Sequence, residues 1–186
     1  SSDLEFDTVT LDQFNEAMAE LRADDMKGLI LDLRSNPGGD LSVVVEIARR
    51  LLPAGLITYT EVPSGQRTEY TCDGEYEIDI PMVVLINGYS ASAAEILAGA
   101  IQDHNKGTIV GTTSYGKGIV QRLITLEDGS AVKLTVSGWF TPDGNNIQGS
   151  GIEPDVEAEY DTDLAETEGL DSQVEKGIEI LKEKIG

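Results

Sequence analysis

The sequence predicts an α/β fold with a mainly parallel central sheet flanked by helices, and three observations predict it. Gly28–Leu33 and Met82–Ile86 are short apolar runs that read as buried strands. Leu11, Phe14, Ala17, Met18 and Leu21 take the i, i+3, i+4, i+7 spacing of an amphipathic helix. Strand and helix then alternate through the first hundred residues, before β-rich sequence takes over.

Element by element, the first helix falls within residues 8–24, and the polar Ser1–Asp7 leaves room for at most a short strand before it. Asn36-Pro-Gly-Gly39 ends the strand at 28–33, and helical spacing returns from Leu41 to Leu52 until Pro53. Leu56–Val62 and Thr68–Cys72 read as strands joined by the turn Pro63-Ser-Gly-Gln66. A helix from about Ala91 to Asp103 follows the strand at 82–86. Thr108–Val110, Gly118–Leu126 and Ala131–Ser137 are strands, with Asp128-Gly129 as a hairpin turn. Pro142-Asp-Gly144 is a turn and 145–157 an ordered loop. The acidic stretch Glu157–Glu168 reads as a solvated connector to a last helix at about Asp171–Lys184.

Composition narrows the function. With 186 residues, 40% hydrophobic content and 20 glycines, one globular, turn-rich domain is expected over 1–186. Lysine and arginine number 13 against 34 aspartates and glutamates, a formal charge of −21. Such a surface repels phosphate backbones and anionic lipid, which argues against nucleic-acid and membrane-surface binding. The lone Cys72 excludes an internal disulfide or a multi-cysteine zinc site and reads as strand filler. No apolar run nears the roughly 20 residues that span a bilayer. Without an initial methionine or secretory signal, the chain reads as a fragment of a longer protein.

The chemistry concentrates in two segments, Asn87-Gly-Tyr-Ser-Ala-Ser-Ala-Ala-Glu-Ile96 and Ser114-Tyr-Gly-Lys-Gly-Ile-Val-Gln121. His104, the single histidine, follows Asp103, yet it sits twelve residues beyond Ser92 on one helix, roughly 18 Å away at 1.5 Å rise. A general base must come within about 3 Å of the hydroxyl, so His104 reads as a helix C-terminal residue. Gly111-Thr-Thr-Ser-Tyr-Gly-Lys117 nearly matches a phosphate-binding loop, but Gly118 replaces the magnesium-binding hydroxyl, and strand-like sequence stands where a helix should start. Gly88-Tyr-Ser-Ala-Ser92 approximates a nucleophile elbow. Either Ser90 or Ser92 could sit at its apex, the other capping the helix. Lys117 could serve as base if an apolar, desolvated pocket held it neutral. Glycines in Asn36-Pro-Gly-Gly39 could bring backbone N–H groups to a developing oxyanion.

Together these residues resemble the C-terminal processing peptidases, or tail-specific proteases, which are serine proteases with a Ser/Lys dyad. The matching segments are Ile30–Gly39, Val83–Asn87, Ser90–Gly99, Gly111–Gln121 and Gly151-Ile-Glu-Pro-Asp-Val156, spanning about 26–157. The resemblance implies a ClpP/crotonase-like spiral core, Ser92 as nucleophile and Lys117 as general base. It also implies Gln121 as the residue orienting the lysine amine, with oxyanion donors at the N–H groups of Gly39 and Ala93. Gln121 lies four residues past Lys117, on the same face of an extended strand. Asp103 takes a supporting place, and Ala94 stands where the family pattern has a further serine. No metal or organic cofactor is implied. The implied substrate is a protein or peptide with an accessible C-terminus, and the implied location is extracytoplasmic: periplasm, cell envelope or outside the cell. Family members usually carry a PDZ domain before this core, and no segment here has the length for one, so the parent chain is expected to supply it. The sequence leaves the oligomeric state open. Two other readings are a non-catalytic binding module of the same superfamily, like its retinoid-binding repeats, and a core inert without its PDZ domain.

Overall fold

Residues 5–186 are described by the computed structural model. A two-residue strand, β1 (Glu5–Phe6), leads into α1 (Thr8–Ala23). The helix starts where Asp7 accepts the Thr10 N–H at 2.8 Å while Thr10 Oγ1 accepts the Asp7 N–H, a reciprocal cap. Of the polar opening segment, Glu5–Phe6 is the short strand, and residues 1–4 lie outside the described residues.

The parallel sheet has the order β10-β7-β6-β2, from β2 (Leu29–Asp32), β6 (Met82–Ile86), β7 (Thr108–Gly111) and β10 (Val156–Glu157). All three pairings are parallel. β6 lies between β2 and β7 with every residue buried, which is why its sequence is continuously apolar rather than alternating. On one face pack α1, α2 (Leu41–Ala48) and α3 (Ala93–Asp103), closing a core that includes Met82, Val84, Ile86, Leu97 and Ile101. On the other face, Val83, Leu85 and Val110 meet Leu181 of α5 (Ser172–Ile185).

The β-rich half builds a second sheet, antiparallel, with the order β5-β4-β9-β8. It joins two hairpins, β4 (Gly55–Glu61) with β5 (Arg67–Cys72), and β8 (Ile119–Thr125) with β9 (Ala131–Phe140). The turn at 63–66 and the Asp128-Gly129 turn sit where the sequence places them. β9 runs three residues past Ser137, because Trp139 and Phe140 pair with Thr60 and Tyr59 of β4. That pairing carries Trp139 into the core, 1% exposed.

Two other boundaries differ from the sequence reading. α2 stops at Ala48, and the chain continues through turn bonds in which Leu51 and Leu52 both donate to Ala48 O. Both leucines stay fully buried, so the apolar period persists after the regular helix ends. The acidic stretch is not extended throughout: it holds β10 and a short helix, α4 (Thr162–Glu168), capped by Asp161 and stopped by a left-handed Gly169. Among the described residues, no helix is long and apolar enough to cross a membrane.

Candidate active site

The turn between β6 and α3 separates the two candidate serines. Ser90 is fully buried; its hydroxyl donates to Leu33 O at 2.8 Å and accepts the Asn87 N–H at 3.0 Å. Both roles of that oxygen are spent on holding the turn. Ser92, half-buried, sits immediately before α3 with φ 56° and ψ −117°. A non-glycine residue in that region is strained, and such strain persists only where the surroundings over-determine it. This is the sharp strand-to-helix turn that lifts a hydroxyl clear of the backbone at the head of a helix.

The turn after β2 packs directly beneath. A Cβ added to Gly38, at φ 106°, would lie 2.7 Å from Ser92 Cβ and 2.8 Å from Ala91 O, so only glycine fits. Gly38 N–H is taken by the Asn36 side chain at 2.8 Å. Asp40 N–H donates to Phe6 O at 2.8 Å; by the alternation of a strand, the N–H of Gly39 in β3 (Gly38–Gly39) faces the opposite edge. Gly39, Ser92 and Ala93 all border one cavity of about 280 Å³. Ala93 is the first residue of α3, where an amide N–H lacks an intrahelical partner.

Lys117 and Gln121 border the same cavity, with Leu41, Ile96, Ile119, Val120 and Trp139 supplying apolar walls. A lysine between glycines is usually a solvent-facing turn residue; here it is half-buried. The flanking glycines are required by the 146–151 loop: a Cβ on Gly118 would fall 2.5 Å from Gln148 N. Trp139 Nε1 donates to Lys117 O at 2.7 Å, pinning the backbone from the other side. The lysine precedes β8 and a register irregularity falls between Val120 and Gln121, so the i, i+4 strand argument for Gln121 is replaced by simple proximity. No hydrogen bond joins Ser92 Oγ to Lys117 Nζ, or Gln121 to Lys117; the bonds of Lys117 are made by its backbone.

Glu95 is the residue that sequence reasoning passed over. It is 1% exposed and lies in the first turn of α3. Its Oε2 accepts the backbone N–H of Ser92 at 2.8 Å and of Lys117 at 2.9 Å; its Oε1 accepts the Gly116 N–H at 2.7 Å and the Ser114 hydroxyl. One buried carboxylate thus ties the serine turn to the lysine loop. Four donors compensate the burial of its charge. The available signal was an acidic residue three positions past Ser92, the capping-box spacing. The closing segment reaches the same network, since the Ile152 N–H donates to Ser114 Oγ at 2.7 Å. Asp155 then accepts the Ile109 N–H and the Gln102 amide, locking that segment to β7 and α3.

The remaining candidates lie elsewhere. His104 caps the C-terminus of α3, its Nε2 2.7 Å from Leu56 O. Asp103 accepts the Asp143 N–H at 2.9 Å and holds a distant turn. Cys72 is buried, its thiol against Leu52 O.

A fold of this kind, with an elbow serine, a lysine and the backbone of Gly39 and Ala93 around one cavity, defines a hydrolase-like class of site. Comparison with known proteins makes that specific. The pattern of peptidase family S41 matches residues 4–158, and the chain belongs to that family. It is 45% identical over 139 residues to a carboxyl-terminal-processing protease of Synechocystis, covering 75% of this chain and 33% of the relative. It is 38% identical over 168 residues to the carboxy-terminal processing protease CtpA of Bacillus subtilis, covering 90% and 36%. The solved photosystem II D1 C-terminal processing protease superimposes with a TM-score of 0.81 at 35% identity, over 96% of this chain and 45% of that one. A putative S41 protease from Bacteroides fragilis shares the fold, TM-score 0.79 at 17% identity over 96% and 52%. The chain spans about a third of the length of the curated relatives.

Proposed function

We propose that the chain is the catalytic core of a serine peptidase of the C-terminal processing type, using a Ser92/Lys117 dyad. The observation that carries this is the shared carboxylate. Glu95 holds the strained Ser92 turn and the Lys117 loop at one cavity, with Gly39 and Ala93 amides beside it.

Lys117 Nζ takes the proton as Ser92 Oγ attacks the scissile carbonyl. The oxyanion is held by the N–H groups of Gly39 and Ala93 at the positive end of α3. Lys117 then gives its proton to the leaving amine, and the acyl-enzyme on Ser92 is hydrolysed by water that Lys117 activates. Gln121 orients the lysine amine. The walls Leu41, Ile96, Ile119, Val120 and Trp139 suit an apolar substrate side chain next to the cut.

Relatives named as carboxyl-terminal processing proteases support a protein or peptide substrate cut near an accessible C-terminus. An extracytoplasmic location and a PDZ domain elsewhere in the parent chain belong to the same proposal. The testing experiment is mass spectrometry after treatment with a serine-directed phosphonate. An adduct on Ser92 that is lost in Lys117→Ala supports the dyad. Labelling elsewhere, or undiminished labelling without Lys117, contradicts it.

A further inference from the structure

The C-terminal helix lies beyond the 4–158 span that matches the family, yet its N-cap Asp171 and its second residue, Gln173, reach Arg34 at the start of the turn beneath the serine. Arg34 Nη1 donates to Asp171 Oδ1 and Oδ2 at 3.0 and 2.8 Å and to Gln173 Oε1 at 2.9 Å. The rest of the guanidinium is forked on Asp32, at 2.9 and 2.6 Å. Gln173, 3% exposed, is itself fixed by donating to Ala158 O at 2.7 Å. The Arg34 side chain, 15% exposed, therefore has acceptors on both β2 and α5 and no slack.

The residue after Arg34 is strained. Ser35 has φ 58°, and its N–H donates to Asn87 Oδ1 at 2.9 Å. From there the turn runs through Asn36, whose carbonyl accepts the Ala91 N–H at 2.9 Å, to Gly38 against Ser92 Cβ. Four residues separate the Arg34 clamp from the Gly39 amide. A left-handed serine in so short a turn stays in place only if both of its sides are held. Asn87 holds one side, and the Arg34 clamp holds the other.

On the reading of Ser92 and Gly39 given above, we propose that α5 is a working part of the active site: Asp171 and Gln173, through Arg34, set the Leu33–Gly39 turn so that the Gly39 N–H meets the oxyanion. Asp171 and Gln173 are positioning residues, because they touch neither substrate nor the reacting atoms. The effect appears in the transition state, since the Gly39 amide bonds the oxyanion more strongly than the ground-state carbonyl.

Asp171→Asn separates this role from simple folding. Asparagine is also a good N-cap and keeps an oxygen for the Gln173 and Val174 N–H groups, now bonded to Asp171 at 3.0 and 3.1 Å. The variant loses mainly the charged clamp on Arg34. The measurements are kcat, KM, the inhibition constant of a peptide aldehyde and the melting temperature, on the intact protein, for Asp171→Asn, Arg34→Gln and the double variant. The expected result for Asp171→Asn is a kcat about tenfold lower with KM within about twofold. Aldehyde affinity should fall in step with kcat/KM, and the double variant should be no worse than Arg34→Gln alone. Unchanged kcat and aldehyde affinity in Asp171→Asn would overturn the proposal, as would fully additive losses in the double variant. Ser92→Ala on the same peptide keeps the two readings apart. If cleavage survives that change, the assignment of Ser92 as nucleophile itself falls; if cleavage is lost while Asp171→Asn behaves as wild type, only the role of α5 falls.

Discussion

Ser90 and Ser92 share a residue type and a turn but differ in what surrounds them. Ser90→Ala removes a buried hydroxyl that both donates and accepts, leaving the Asn87 N–H without its partner and Leu33 O with only the Asn36 N–H. Thermal unfolding should show a loss of about 1–3 kcal/mol. Ser92→Gly should do the opposite, because glycine accepts φ 56° without strain. It should raise stability by roughly 0.5–1 kcal/mol while turnover disappears. Glu95→Gln keeps the size of the buried side chain but turns two acceptor positions into donors facing donors. A loss of about 2–4 kcal/mol is expected, with turnover falling more than a hundredfold as the Ser92 turn and the Lys117 loop come apart. Unfolding and peptide cleavage measured on the same sample check both effects.

At the scale of elements, N-caps decide where the helices begin. Asp40 opens α2 by accepting the Ser42 hydroxyl and N–H, and those bonds hold its carboxyl below the usual aspartate range. A depressed folded value means the contribution is present above the unfolded value and lost as pH falls through the folded one. Asp40→Ala should thus cost about 1 kcal/mol at neutral pH. The gap from wild type should close as pH drops below about 4, as read by melting temperature across a pH series. This level was also the most legible in sequence. Met82–Ile86 announced a strand buried on both faces, and the spacing from Leu11 to Leu21 announced α1. The extra length of β9 was not legible, because Trp139 and Phe140 extend it only through pairing with β4, some eighty residues earlier. The early end of α2 was hidden for a related reason: Leu51 and Leu52 keep the helical period although the backbone has left the helix.

Over the whole molecule, β3, α2, α3, β8 and β9 converge so that segments far apart in the chain meet at one cavity. Family resemblance nominated Ser92, Lys117, Gln121, Gly39 and Ala93, and all five border that cavity. Periodicity and composition could not supply the links between them. Glu95 reads in sequence as an ordinary first-turn acid, and Asp171 as an ordinary cap. Their further roles appear only when the chain folds back over 21 or 137 residues. The net charge of −21 acts at this scale too. Self-repulsion of so acidic a surface is screened by salt, so raising ionic strength from about 0.01 to 0.15 M shortens the Debye length from roughly 30 to 8 Å. The melting temperature should rise over that range, and a fall would mean that the surface ion pairs outweigh the repulsion.

The most direct test of the dyad is cleavage of one peptide with a free, apolar C-terminus by the intact wild-type protein, Ser92→Ala, Lys117→Ala and the double variant. Groups that act as a unit lose their effect together. Each single change should lower kcat by at least about a thousandfold, and the double variant should lose no more than the worse single. Lys117→Ala retaining turnover within about tenfold of wild type would contradict the assignment of Lys117 as the base.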